Sequence, residues 1–368
     1  MQNKDSLIYA IALTLIPGIG DVQGKKLVAY CGGLEAVFRE KKKDLMRIPG
    51  IGNATADAIH RKGIFARAEE EIGFIRQYGI NALFYLDPDY PERLKHCEDG
   101  PIMVYFKGNA GLSRKRVLSI VGTRNPTDYG KSMCEQIIRD LSDLGVMTVS
   151  GLAYGVDTLA HRASLAAGIP TVGVLAHGLD LIYPFVNRPL AGKMIENGGL
   201  MTEFMSHTKL NRDYFPRRNR IIAGMADATL VIESAAKGGA LITAEIAGSY
   251  NRDVFALPGR ATDLKSSGCN NLIRNNKAAL VQSAADICYL MGWDQDNHRA
   301  HSQPDLFTVM NEDEKKIYDL LMRLKEAGID EIYLQSGMTQ SKVSSILLKL
   351  EFDGLVKAFP GKRFRLNN

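Results

Sequence analysis

From about Ser113 to Trp293, short apolar runs alternate with longer stretches whose apolar residues recur every three or four positions. Val117–Val121, Val146–Val149, Thr171–Leu175, Leu200–Glu203, Ala228–Ile232, Val254–Leu257 and Ala279–Val281 read as strands. Lys131–Leu144, Asp157–Ala167, Val186–Asn197, Ala240–Asn251 and Ala284–Met291 read as helices between them. Continuously apolar strands joined by helices predict a parallel sheet covered on both faces, a doubly wound, Rossmann-like α/β domain. Such sheets take their ligands outside the carboxyl ends of the strands, so function is sought in those loops.

The flanks follow other patterns. Leu13–Gly20 and Leu45–Gly52 repeat at an offset of 32, each ending in Pro-Gly-Ile-Gly and leading into a helical stretch. Pro ends a helix and Gly allows a tight turn, so two helix-hairpin-helix units (a SAM-like domain) are predicted over 1–80. Their turn amides either grip a DNA phosphate or merely pack the helices together. The α/β domain is assigned to 81–293 and a polar linker to 294–310. Over 311–368 two helices and a β-hairpin follow one another in the order of a winged helix. There Lys342 and Lys349 are expected on the surface of the second helix, and Lys362, Arg363 and Arg365 on the wing.

Composition narrows the function classes. The 368 residues carry a net charge of +5, with 45% hydrophobic and 24% charged residues, which excludes disordered and collagen-like chains. The five cysteines form no CxxC or Cys/His cluster, so neither a disulfide framework nor a structural zinc is expected. Leu7–Ile16 is too short to span a bilayer and lacks a cleavage site, so a soluble, cytoplasmic protein is expected.

The loops then supply candidate chemistry. Gly122-Thr123-Arg124 ends the first α/β strand and suits a phosphate near a helix N-terminus, but it is no GxGxxG dinucleotide fingerprint. The second loop, with Gly151 and Gly155, leads to Asp157 and His161 four residues apart, read as a helix cap and a hydrogen-bonded histidine. His177–Arg188 is a third loop without an assigned role. The most informative segment is His207–Arg220, where Lys209, Arg212, Arg217, Arg218 and Arg220 oppose one acid, Asp213, with Tyr214 and Phe215 among them. Guanidinium groups interleaved with aromatics suit single-stranded nucleic acid, whose phosphates are neutralised while unstacked bases meet the rings. Lys237-Gly238-Gly239 and Ser266–Arg274 add further Gly-rich turns, with Asn271 and Arg274. Several phosphate-friendly loops without a nucleophile, base or metal set point to binding rather than catalysis.

GTRNPTDYG, SGLAYGVDTLAHRASLAAG, GLDLIYPFVNRPLA, FPRRNRIIAG, GGALITAEIA, ALPG and SSGCNNLI follow one another over residues 113–290. This succession resembles the DNA-processing protein A (DprA, or Smf) family, and the flanking modules resemble its fuller architecture. The resemblance implies a bacterial mediator of natural transformation and recombination that binds single-stranded DNA and has no cofactor or metal. It further implies dimerisation through the Rossmann-like domain and loading of a RecA-type recombinase onto strands covered by single-strand-binding protein. Carried over by motif, its DNA pocket comprises Arg124, Phe215, Arg217, Arg218, Asn219 and Arg220, with Gly151 and Gly155 beneath. The chain departs from the family at Gly238 and Ala240, where Ser-Gly-Ser often precedes Leu-Ile-Thr-Ala. The expected site is that DNA pocket together with the loop residues Gly122, Thr123, Lys209, Asn271 and Arg274, without Gly238 and Ala240. Two competing readings are a nucleoside-monophosphate phosphoribohydrolase acting through Glu245 and a duplex-binding winged-helix regulator.

Overall fold

The computed structural model describes residues 4–61, 63–293, 311–353, 355–359 and 362–366. The expected linker 294–310 lies outside them. The chain divides into compact units at 1–291 and 292–368.

In the first unit, helices α1 (Lys4–Thr14), α2 (Asp21–Cys31), α3 (Leu34–Arg39), α4 (Lys42–Leu45), α5 (Asn53–Ile59) and α6 (Ile64–Tyr78) enclose a core of residues such as Leu13, Leu27, Leu45 and Ile59. The sequence repeat is a structural one. Gly18 and Gly50 take left-handed φ values of 81° and 88°, and Gly20 and Gly52 are extended residues immediately before α2 and α5.

A nine-stranded sheet follows: β1 (Asn81–Phe84), β2 (Met103–Gly108), β3 (Arg116–Gly122), β4 (Val146–Ser150), β5 (Thr171–Val174), β6 (Gly198–Thr202), β7 (Ala228–Ile232), β8 (Asp253–Ala256) and β9 (Ala279–Leu280). Its order is β1-β2-β6-β5-β4-β3-β7-β8-β9. The pairings from β6 to β9 are parallel, as the apolar runs predict, and α8 (Asp128–Asp140), α9 (Val156–Ala166), α10 (Arg188–Glu196), α11 (Tyr214–Met225), α12 (Gly239–Ser249), α13 (Ser267–Arg274) and α14 (Ala284–Met291) accompany the strands. The sequence pattern had not included β1 and β2, an antiparallel pair that extends the β6 edge. Between β1 and β2 lies a short helical turn, Glu92–Lys95 (α7 is its place in chain order).

From β3 the chain proceeds outward through β4, β5 and β6; from β7 it proceeds the other way through β8 and β9. The neighbours β3 and β7 therefore flank the switch point of the sheet, where diverging loops open a crevice.

The second unit contains α15 (Glu312–Leu324), α16 (Ile329–Ser336) and α17 (Gln340–Phe352) with a three-stranded sheet of β10 (Glu326–Gly328), β12 (Arg363–Leu366) and β11 (Val356–Phe359), a winged helix. Asn311 and Glu314 close a capping box on α15. The two lysines of α17 lie on its surface as expected, and each pairs with a carboxylate of α15: Lys342 with Asp313 at 2.6 Å and Lys349 with Glu314 at 2.6 Å. On the wing, Arg365 lies over the Phe359 ring and Arg363 pairs with Glu326.

Candidate functional site

The switch point holds a cavity of about 450 Å³ lined by three loops and by residues of α9, α11 and α12. Gly122 ends β3 and Thr123 and Arg124 follow it, Ala153 and Tyr154 come from the loop after β4, and Ser234, Ala235, Lys237 and Gly238 from that after β7. Phe215, Arg218 and Asn219 come from α11, and Thr243 from the first turns of α12.

The loops are held by backbone contacts. The Thr123 amide donates to the Glu233 carbonyl at 2.7 Å, and the Thr123 carbonyl accepts from the Val156 amide at 3.1 Å. Glu233, at a φ of 50°, accepts from the Thr127 amide at 2.7 Å and from the Thr127 hydroxyl. This ties the end of β7 to the start of α8. Gly155, at a φ of 79°, leaves no room for a side chain against Thr123 and Arg124, so two adjoining loops close on each other there.

Charge in the cavity is unevenly compensated. Arg124 and Lys237 are exposed, whereas Arg218 is 4% exposed. Among the described residues no hydrogen bond or ion pair engages the Arg218 guanidinium, and its Nε is buried without a partner. Burial lowers its pKa from the usual arginine value, against the opposing pull of Asp157. Burial likewise raises the Asp157 carboxyl, opposed by Arg218 and by the Ala153 amide that donates to it at 3.3 Å. Asp157 is a first-turn residue of α9; the N-cap position is Gly155, so the expected cap is corrected to a buried carboxylate beside Arg218. His161 meets the Thr171 hydroxyl at 2.7 Å, and burial pushes its pKa down to about 3, which keeps it neutral.

A cluster of guanidinium, ammonium and Gly-loop amides at the N-terminus of the eleven-residue α12 is suited to phosphate. With Arg124 and Lys237 beside Arg218, positive charge outweighs the Asp157 carboxyl in the cavity, which makes an anion its natural complement.

The structure divides the expected residues. Gly122, Thr123, Arg124, Phe215, Arg218 and Asn219 line the cavity, and Gly151 lies directly under the Arg218 guanidinium. Arg217 and Arg220 do not join them. The FPRRNR run is helical, so residues three apart share a face. Arg217 pairs with Glu203 at 2.7 Å and lies 3.7 Å from Asp21, and its guanidinium covers the Phe204 ring. Arg220, with a side chain 10% exposed, pairs with Asp21 at 3.0 Å and with Glu203. This face of α11 ties the helix-hairpin-helix domain to the sheet, aided by Asp21 accepting from the Ile102 amide at 2.9 Å.

Lys209, Asn271 and Arg274 also lie outside the cavity lining. Lys209 is exposed ahead of α11, and Arg274 is exposed at the far end of α13. The reading of individual site residues left out Ala153, Tyr154, Lys237 and Thr243. Their signal in the sequence is the Gly-rich turns before α9 and α12.

A family model for DNA recombination-mediator protein A matches residues 81–292, one for SAM-like tandem helix-hairpin-helix units matches 10–62, and one for the DprA winged-helix domain matches 300–362. Protein Smf of Synechocystis is 32% identical over 99% of this chain and 100% of its own length. DNA processing protein DprA of Bacillus subtilis is 40% identical over 58% of this chain and 71% of its own. Among solved structures, DNA processing protein A from Streptococcus pneumoniae has a TM-score of 0.64 at 31% identity, covering 77% of this chain and 97% of that one. The Helicobacter pylori protein, whose structure is described for its single-stranded DNA binding mode, has a TM-score of 0.54 at 26% identity, covering 59% and 97%.

Proposed function

Because the chain belongs to the family of DNA recombination-mediator protein A, we propose that it binds single-stranded DNA at the β3/β7 switch point, through phosphate capture by Arg124, Arg218 and Lys237. The observation that carries this reading is the buried Arg218 guanidinium, which among the described residues makes no hydrogen bond or close ion pair, feels Asp157 only at longer range, and faces a cavity open to solvent. A phosphodiester supplies the missing charge and acceptors. Phe215, half-buried on the same wall, offers a ring to an unstacked base. The Helicobacter relative, described for its single-stranded DNA binding, supports the same ligand class.

The same reading proposes a homodimer that protects incoming strands in the cytoplasm and presents them to a RecA-type recombinase, with single-strand-binding protein as a further partner. The family's description as a recombination mediator supports this. Among the described residues no helix is long and apolar enough to cross a membrane.

The phosphoribohydrolase reading loses its acid: Glu245 is exposed, lies outside the cavity lining and is 3.7 Å from Lys277. Against the duplex-reader reading, both surface lysines of α17 already have carboxylate partners, Asp313 and Glu314, with which a phosphate would have to compete.

The test is fluorescence anisotropy of labelled oligo-dT against a duplex of equal length, at low and near-physiological salt. Preference for the single strand with a steep salt dependence supports the reading; preference for duplex overturns it.

A further inference from the structure

The second helix of a helix-turn-helix meets DNA through the face turned away from its own core. In α17 the buried residues are Val343, Ile346, Leu347 and Leu350. With about 100° between successive residues, the stripe directly opposite them is Ser341, Ser345, Leu348 and Phe352. All four are exposed, Leu348 at 56% and Phe352 at 84%. None of them is charged, and the lysines beside the stripe, Lys342 and Lys349, are held by Asp313 and Glu314.

We propose that this stripe is the contact for a second copy of the chain, with α17 of each copy packed antiparallel on α17 of the other about a two-fold axis. The inference is independent of the single-strand reading above.

Three observations carry it. Steps of four, three and four residues from Ser341 to Phe352 are those of a helix–helix seam. The stripe is also complementary to itself about its own midpoint, which falls between Ser345 and Leu348. A two-fold axis there sets Phe352 of each copy against Ser341 of the other, and Leu348 of each against Ser345 of the other. Large against small at both levels lets two helices close without a gap, and each contact occurs twice, as an isologous pair requires. Finally, the stripe has no cation with which to hold a phosphate, whereas its Leu and Phe gain by leaving water.

Three to four turns of helix bury less than the roughly 1,200 Å² of a stable complex. The contact is therefore weak and reversible, and is read by trapping rather than by mass.

The test uses the whole protein. In this register Ser345 lies about 4–5 Å along the axis from its symmetry mate, so a short bis-maleimide should cross-link Ser345→Cys into chain pairs. The wild type, whose five cysteines are buried or half-buried, and Asp330→Cys, exposed on α16, set the background. Adding Phe352→Lys to Ser345→Cys should cut the cross-linked fraction by about tenfold or more, and adding Ser341→Glu to that chain should restore it. Positions 341 and 352 are about 16 Å apart along one helix, so a restored charge pair joins two chains. A carboxylate in the first turn and an ammonium in the last suit the helix dipole, so neither exchange threatens the fold.

A yield at Ser345→Cys no higher than at Asp330→Cys, a yield that survives Phe352→Lys, or a double exchange that restores nothing overturns the antiparallel pair. Absence of the cross-link together with weaker duplex or oligo-dT binding in Leu348→Ala overturns it as well, and assigns the face to nucleic acid.

Discussion

The Arg218 guanidinium lies so closely over Gly151 that a Cβ at that position would fall within it. The absent side chain is what lets a buried arginine reach the switch point. Gly151→Ala is therefore expected to displace Arg218 and weaken single-strand binding while the protein remains folded. Arg218→Met should cost about 1.5–3 kcal/mol of binding, the range for a hydrogen bond to a charged group. Because the change breaks no hydrogen bond or close ion pair and removes only a longer-range pull on Asp157, the melting temperature should move little. Thermal unfolding and anisotropy on one preparation check both halves; a large fall in melting temperature would mean that Arg218 serves the core.

Arg220 gives the opposite profile. Its removal leaves the buried Glu203 with Arg217 alone and strips Asp21 of its nearer cation. Breaking a buried pair costs roughly 3–5 kcal/mol, so Arg220→Ala should lower stability by about 3 kcal/mol in denaturant unfolding. Its single-strand affinity, measured where it is folded, should be unchanged. A marked loss of affinity at full stability would return Arg220 to the binding site.

Acid should act through His161. Burial pushes its pKa down to about 3 in the folded protein, against about 6.5 in an unfolded chain. Between those values the unfolded state binds more protons, so the contribution is full above pH 6.5 and is lost as pH falls toward 3. At about 1.4 kcal/mol per pH unit, roughly 2 kcal/mol disappears between pH 6.5 and 5. Glu203 and Asp157 have the opposite sign, since burial raises their carboxyls and their share declines as pH rises above about 4. The difference between wild type and His161→Gln isolates the histidine. Unfolding free energies at pH 7 and 5 should differ less in the variant; an equal fall in both would contradict a neutral buried His161.

In the winged helix, Lys342 and Lys349 are engaged by the carboxylates of α15. Replacing both by Met is expected to leave duplex affinity unchanged in a filter or anisotropy assay. A clear loss would show that these lysines leave their partners to reach DNA.

The limits of sequence reading are visible in α11. Basic and aromatic residues in the FPRRNR run marked it as functional, but treating it as one patch ignored its helical period. With Ile221, Ile222 and Met225 in the core, the run had the spacing of an amphipathic helix, which separates Phe215 and Arg218 from Arg217 and Arg220. The partners of the second pair were not legible. Asp21 lies 199 residues from Arg220 and belongs to the other domain of the unit. The parallel strands were legible because each is apolar throughout, whereas β1, of only four residues, has one exposed and one half-buried position. The cavity was legible as a set of Gly-rich turns, but only the β3/β7 adjacency shows which turns converge.

The central claim is that phosphate is held at the switch point by Arg124 and Arg218. The most direct test is the slope of log K against log salt for oligo-dT, measured on wild type and Arg124→Ala. Loss of one phosphate contact predicts weaker binding and a slope shallower by roughly 0.7, the value per phosphate for single strands. An unchanged affinity and slope would place the strand elsewhere on the protein.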